Sequence, residues 1–232
     1  MRSPRRPAPL ELMVGSIAVA ASALYLASDV IELAQGGFST FQLWLTYVGE
    51  VTIPFFAIGL YAVQRPRIGR LGLIGAVAYA YAFVFFTSTI VYALVRNTPN
   101  WDALTKQMGT WIIIHGVVMV LGGLAFGLAV VRSGVLPRWT GIALMVGVVL
   151  VAAASNLPDA AQTGAAAVRD LALAGMGASL LRMSVPEHRR RPPPLEATPR
   201  ESAFGTAPSS GAGRRRGRKR AVTPHAPNKP FA

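Results

Sequence analysis

Six stretches of this chain are each long and apolar enough to cross a lipid bilayer, and no other feature constrains the fold as strongly. They cover residues 12–34, 41–63, 71–95, 111–131, 139–157 and 161–183. A helix rises about 1.5 Å per residue, so about 20 residues span the hydrocarbon core. In lipid every backbone polar group must be satisfied internally, which a helix does within one segment. The intervening pieces, such as GGFST, RPRIGR and RNTPN, are rich in helix breakers or charge. The expected fold class is all-α: a polytopic membrane helix bundle with six transmembrane helices. Residues 1–11 form its N-terminal flank and 184–232 a disordered basic C-terminal tail. The fifth stretch is short, and the sixth carries Arg169 and Asp170.

Composition agrees. Hydrophobic residues make up 52% of the chain and charged residues only 14%, where soluble domains carry about a quarter. The chain has no Cys, which excludes disulfides, thiolate nucleophiles and Cys-bound metal.

Lys and Arg concentrate on the cytoplasmic side of short loops. Here Arg2, Arg5 and Arg6 precede the first stretch, and none lies between the first and second. Arg65, Arg67 and Arg70 follow the second, Arg96 and Lys106 the third, Arg132 and Arg138 the fourth, and none the fifth. This alternation predicts a plasma-membrane protein with both termini cytoplasmic. Trp44, Trp101 and Trp111 fall near the outer interface and Trp139 near the inner one, as amphipathic rings prefer. Between the third and fourth stretches, NWDALTKQM reads as a short interfacial helix. Asn100 caps it, Asp102 sits in its first turn, and Trp101, Leu104 and Met108 face lipid. A rival reading makes the first stretch a cleaved signal peptide, with Arg2–Arg6 as its basic region and Ala20–Ala23 near the cleavage site. Small residues supply close-packing surfaces: Gly123 and Gly127, the row Gly72, Ala76 and Ala80, and the pair Ala174 and Ala178. Packing within one chain is favoured over a dedicated dimer face, and the oligomeric state stays open.

The informative departure from apolar character is a set of ionisable groups inside the stretches. Asp29 and Glu32 close the first, three apart on one face above Tyr25 and Ser22. Glu50 lies close to the middle of the second. Pro54 follows it by four, so the Glu50 carbonyl loses its helical donor and a kink is expected. Arg169 and Asp170 lie near the middle of the sixth, and His115 one turn inside the fourth. A charge at the helix centre costs about 2.5–3.5 kcal/mol, so these groups are expected to meet. The expected arrangement is a polar, outward-opening cavity, with Arg169 paired to Glu50 or Asp29. The plainer alternatives are that Asp29 and Glu32 merely cap a helix at the water boundary, that Arg169 locks the bundle, and that His115 is a hydrogen-bonded helix residue. No cofactor is expected. Paired axial histidines for haem are lacking, because His188 and His225 lie in the tail, and a zinc site lacks ligands.

The tail holds eleven Lys and Arg against three Glu, most of the chain's net charge of +13. Its VPEHRRRPPP and RRRGRKRA runs cannot build a packed core. Arg214, Arg215, Arg216, Arg218, Lys219 and Arg220 are expected to contact anionic lipid headgroups. Without interleaved aromatics or an RNA-binding fold, nucleic acid is not an expected partner.

The stretch SGVLPRWTGIALMVG, residues 133–147, resembles uncharacterised small bacterial membrane proteins of actinobacterial type. These carry an LPRW-x-G turn before the fifth of six helices. The resemblance implies a six-helix membrane fold and no activity. Two functions follow from the residues: a non-enzymatic membrane protein whose polar cavity is structural or ligand-sensing, or a small proton-coupled transporter using Glu50 and Arg169. An intramembrane enzyme would need a nucleophile and base, and only carboxylates and one His are on offer.

Overall fold

The computed structural model describes residues 9–184. The residues before and after, including the basic cluster from Arg214 to Arg220, lie outside the described part. Seven helices follow one another: α1 (Pro9–Gln35), α2 (Thr40–Val63), α3 (Gly69–Arg96), α4 (Trp101–Met108), α5 (Thr110–Ser133), α6 (Arg138–Ala154) and α7 (Asp159–Ser184). There is no strand among the described residues.

Helices α1, α2, α3, α5 and α7 are each long and apolar enough to cross a membrane. Helix α6 is apolar but has 17 residues, about 25 Å, which is short of the roughly 30 Å hydrocarbon core. The sequence stretch runs to Leu157 because Leu157 is apolar. The helix ends at Ala154 because Pro158 disfavours helical backbone in the residue before it. The other helix ends lie within three residues of the apolar stretches. Their stop signals are local. Ser39 caps α2 by accepting from the Gln42 N–H, and Asn97 and Gly134 close α3 and α5 in left-handed conformation. Helix α2 continues through Pro54 without interruption.

The six long helices close a cycle. Each packs chiefly against its two neighbours, in the order α1, α2, α3, α5, α6, α7 and back to α1. Inside the cycle lie fully buried large side chains: Phe56, Tyr79, Phe83, Phe126, Leu144 and Met176. Outside it, Phe41, Phe55, Ile74, Val84, Ile113 and Leu121 are all exposed. Apolar surface this extensive is foreign to a soluble monomer and natural against acyl chains. The chain is thus built as a multi-pass membrane protein.

Glycine sets how closely the helices approach. A Cβ added at Gly147 on α6 would stand 2.6 Å from the Arg169 Cα on α7, so α6 presses against the backbone that carries the arginine. Gly75 on α3 and Gly122 on α5 likewise sit against the partner helix's backbone at Phe126 and Tyr79. The GxxxG pair is used inside the bundle, with Gly123 against Val148 and Gly127 against the Gly141 carbonyl.

Helix α4 forms where NWDALTKQM predicts it. The Asn100 Oδ1 accepts from the Ala103 N–H at 2.9 Å. The expected lipid face of α4 is corrected: Leu104 is fully buried, packed with Leu43, Ile90 and Ala93 of α2 and α3. The helix lies down onto the bundle with its apolar edge, and burying that leucine costs no polar desolvation.

Candidate functional site

The functional candidates gather along one seam. On α1, Tyr25, Ser28, Asp29 and Glu32 follow helical spacing and share a face; on α2, Gln42, Thr46 and Glu50 do the same at steps of four. The two helices are joined by the loop 36–39 and run antiparallel. Glu32 therefore meets Gln42, Ser28 meets Thr46, and Tyr25 meets Glu50. The contacts are direct. Gln42 Nε2 has three acceptors within reach of its two hydrogens: Glu32 Oε2 at 3.2 Å, Ser28 Oγ at 3.0 Å and Thr46 Oγ1 at 3.0 Å. The Ser28 and Thr46 hydroxyls hydrogen-bond to each other. One turn deeper, the Tyr25 hydroxyl donates to Glu50 Oε1 at 3.0 Å. Gly49 makes this possible, since a Cβ there would stand 3.2 Å from Tyr25 Cβ.

The polar ladder stops at Glu50. Beyond it the seam keeps one hydroxyl, the buried and unbonded Ser22 of α1, and is otherwise made of Val14, Ala18 and Ala21 on α1 and Ile53, Phe56, Ala57 and Leu60 on α2, all buried. The next buried polar pair along α2 is Gln64, which accepts from Ser133 Oγ of α5 at 3.0 Å. Fourteen residues separate Gln64 from Glu50, about 21 Å along the helix.

At the level of Glu50, α7 contributes Arg169 and Asp170. The expected pairing of Arg169 with Glu50 or Asp29 is corrected. Arg169 Nε donates to Asp170 Oδ1 at 2.9 Å, the one salt bridge among the described residues. The neighbouring carboxylate on the same helix turn takes the charge before the bundle can. The guanidinium also lies over the Tyr25 ring, 4.8 Å from its centroid, and 5.6 Å from that of Phe83 on α3. An arginine held over aromatic faces gains from their quadrupoles. Arg169 thus touches Glu50's only hydrogen-bonding partner, and not Glu50.

Several groups here lack partners. Glu50 Oε2, Asp29 Oδ2, Asp170 Oδ2, Arg169 Nη2 and the Tyr79 hydroxyl are buried and unbonded. Glu50 is 3% exposed, Asp170 2% and Arg169 4%. Such atoms are costly, because a buried polar group forfeits its hydration without return. No group of three or more His, Asp or Glu side chains able to hold a metal ion occurs among the described residues.

The other predicted residues fall as follows. Asp29 stands one turn from Tyr25 on α1, within electrostatic reach of Asp170, Arg169, Glu32 and Glu50. Glu32 is at the loop end of the seam, near Asp159 at the start of α7. His115 does not join the cluster. Its ring stacks on Phe85 of α3 at 3.7 Å between centroids. Its Nδ1 lies 2.9 Å from the Trp111 carbonyl oxygen and its Nε2 3.3 Å from the Tyr81 hydroxyl. Helix α5 packs chiefly against α3 and α6 and touches α4, so a histidine on it meets those helices rather than α1, α2 or α7. Sequence reasoning passed over Ser28, Gln42, Thr46 and Tyr79. Gln42 and Thr46 carried a signal, since they recur with Glu50 every four residues on one face, and Ser28 stands four residues before Glu32.

Comparison with protein families, with curated proteins and with solved structures finds no match to this chain.

Proposed function

We propose that this chain is a non-enzymatic, six-span protein of the cytoplasmic membrane with both termini inside, whose function is to receive a ligand at the polar cluster in its outer half. One observation carries this reading. Glu50 is buried, is bonded only by a neutral tyrosine, and keeps an unpartnered oxygen, while the nearby arginine is already engaged by Asp170. A purely structural carboxylate at that depth would be expected to take the arginine for itself. The distribution of Lys and Arg among the loops supports the orientation, and the apolar character of α6 supports counting it as a span. The basic tail suits anionic headgroups. The LPRW-x-G turn supports kinship with the actinobacterial-type membrane proteins.

The test is Glu50→Gln. The isosteric amide should leave folded protein in membranes and its melting temperature near wild type. Collapse of the folded protein would return Glu50 to a structural role. A second reading, proton-coupled transport with Glu50 as carrier and Arg169 as counter-charge, draws on the row of polar side chains along the α1–α2 seam outside Glu50. It predicts a pH-dependent flux in reconstituted vesicles that Glu50→Gln abolishes. Orientation is tested separately: because the chain lacks cysteine, Gln35→Cys should react with an impermeant thiol reagent in intact cells.

A further inference from the structure

We infer that the seam between α3 and α5 is a site for one anionic phospholipid, with an acyl chain in an apolar groove and the phosphate between Arg70 and Arg132. The lipid belongs to the leaflet beside the α2–α3 and α5–α6 loops, which is cytoplasmic in the orientation proposed above. The site is separate from the Glu50 cluster and needs no ligand there.

The close approach of the two helices builds the groove. A Cβ added at Gly122 would stand 2.6 Å from the Tyr79 backbone nitrogen and 3.1 Å from the Ala78 Cβ, and Gly75 abuts the Phe126 backbone in the same way. Where backbones lie this close and Ala78 offers only a methyl, the lipid-facing side of the seam is left as a trough. Leu73, Ile74, Val77, Ala78 and Tyr81 of α3 and Val118 of α5 line it around a volume of about 520 Å³. Tyr81 closes its deep end. The His115 Nδ1 faces the Trp111 carbonyl oxygen, so the neutral ring holds its proton there and accepts from the Tyr81 hydroxyl at Nε2. The tyrosine is thereby held in place with its hydrogen already used.

Length, charge and symmetry select the occupant. Arg70 and Tyr81 are eleven residues apart, about 16 Å along α3 and half of the roughly 30 Å hydrocarbon core. The groove therefore runs from one interface to the midplane, the reach of an acyl chain in a single leaflet. At about 100° per residue, Leu73, Ile74, Val77 and Tyr81 all lie within about 60° of Arg70, so the arginine heads the groove face of α3. Arg132 stands fourteen residues beyond Val118, about 40° from its direction, and heads the matching face of α5. The helices run antiparallel, since Gly75 meets Phe126 and Gly122 meets Tyr79, which brings both arginines to the same end. Both are exposed, and no carboxylate pairs with either among the described residues. Arginine stems cover apolar surface while the guanidinium reaches headgroup level, and a guanidinium offers a phosphate paired donors. A second copy docked here about a twofold axis normal to the membrane would set these arginines against their own counterparts at one depth, like charge on like.

Native mass spectrometry of the full chain tests this, with dioleoyl phosphatidylglycerol and dioleoyl phosphatidylcholine supplied in equal amounts in detergent. The tail is basic as well, so charge-matched variants are compared. The expected result is preferential retention of phosphatidylglycerol by the wild type. In Arg70→Gln with Arg132→Gln that preference should fall about five-fold per arginine, the weight of one basic side chain beside an anionic surface. Arg138→Gln with Arg182→Gln, on α6 and α7, should keep it. Val77→Trp fills the groove from an exposed position and should lower retention too; Ile74→Trp serves if that variant does not fold. Equal losses in the two arginine pairs, or retention untouched by the tryptophan, overturn the site. Equal retention of both lipids by the wild type overturns the choice of an anionic headgroup. A lipid-free dimer that Val77→Trp abolishes would make a second copy the occupant and overturn the lipid. Failure of the orientation reading would show differently, as a Gln35→Cys that does not react in intact cells while the lipid results stand.

Discussion

The α1–α2 seam and the α3–α5 seam join helices in the same bundle by opposite means. Between α3 and α5, Gly75 and Gly122 bring backbones together, and the space is filled by Tyr79, Phe83 and Phe126. The chief polar contact is His115 with Tyr81, closed by local partners. Between α1 and α2 the approach is set by Gly49 and Gly59, but the loop-side half is a row of hydrogen bonds with loose ends. In lipid the hydrophobic effect does not draw helices together, so close packing and polar contacts must do so. The α3–α5 seam relies chiefly on packing. The α1–α2 seam leaves Asp29 Oδ2, Gln42 Oε1 and Glu50 Oε2 unsatisfied, two of them carboxylate oxygens, against the single Tyr79 hydroxyl on α3.

The comparison can be broken, starting with the largest effect. Asp170→Ala leaves Arg169 buried without its counter-charge and should cost about 3–5 kcal/mol, read as loss of folded protein in membranes. The double variant Arg169→Leu with Asp170→Leu should recover much of that loss, because both charges go together. Next, Gly75→Val should cost about 1–3 kcal/mol in a detergent melt, as overpacking does, and a similar loss is expected for Gly147→Val on the α6–α7 side. Thr52→Val, on an exposed face of α2, is the control that should not melt early. Tyr25→Phe removes Glu50's only hydrogen bond and should cost about 1 kcal/mol, within the range measured for buried polar contacts in membranes. Smallest, His115→Gln should cost about 0.6 kcal/mol in a detergent melt, the average for a polar contact between membrane helices, because the histidine lies on the other seam.

Much of this was legible in the sequence, and for identifiable reasons. Apolar length located six of the helices, and Asn100 with Asp102 located α4, because a side-chain cap and a first-turn acid are local signals. The end of α6 was misjudged because apolarity continues through Leu157 while backbone preference is set by Pro158. Leu104 was assigned to lipid because amphipathic spacing shows that one face is apolar without saying what that face meets. At the site, the depth of Glu50 and its face on α2 follow from residue count. Its partner does not. Arg169 has a carboxylate beside it at Asp170, and whether it reaches across the bundle instead depends on the order in which six helices close, which spacing along one helix cannot encode. His115 was grouped with the charges by depth alone, and depth is shared by helices that never touch.

Most direct is a pair of double-mutant cycles in detergent melts, one on Glu50 and Arg169 and one on Arg169 and Asp170. Side chains that do not contact each other should couple by less than about 0.5 kcal/mol, whereas a buried bonded pair should couple by more than about 1 kcal/mol. A weak Glu50–Arg169 coupling beside a strong Arg169–Asp170 coupling is the predicted result and leaves Glu50 free to take a ligand. A Glu50–Arg169 coupling as strong as that of Arg169 with Asp170 would contradict it, making the carboxylate one arm of a structural bridge.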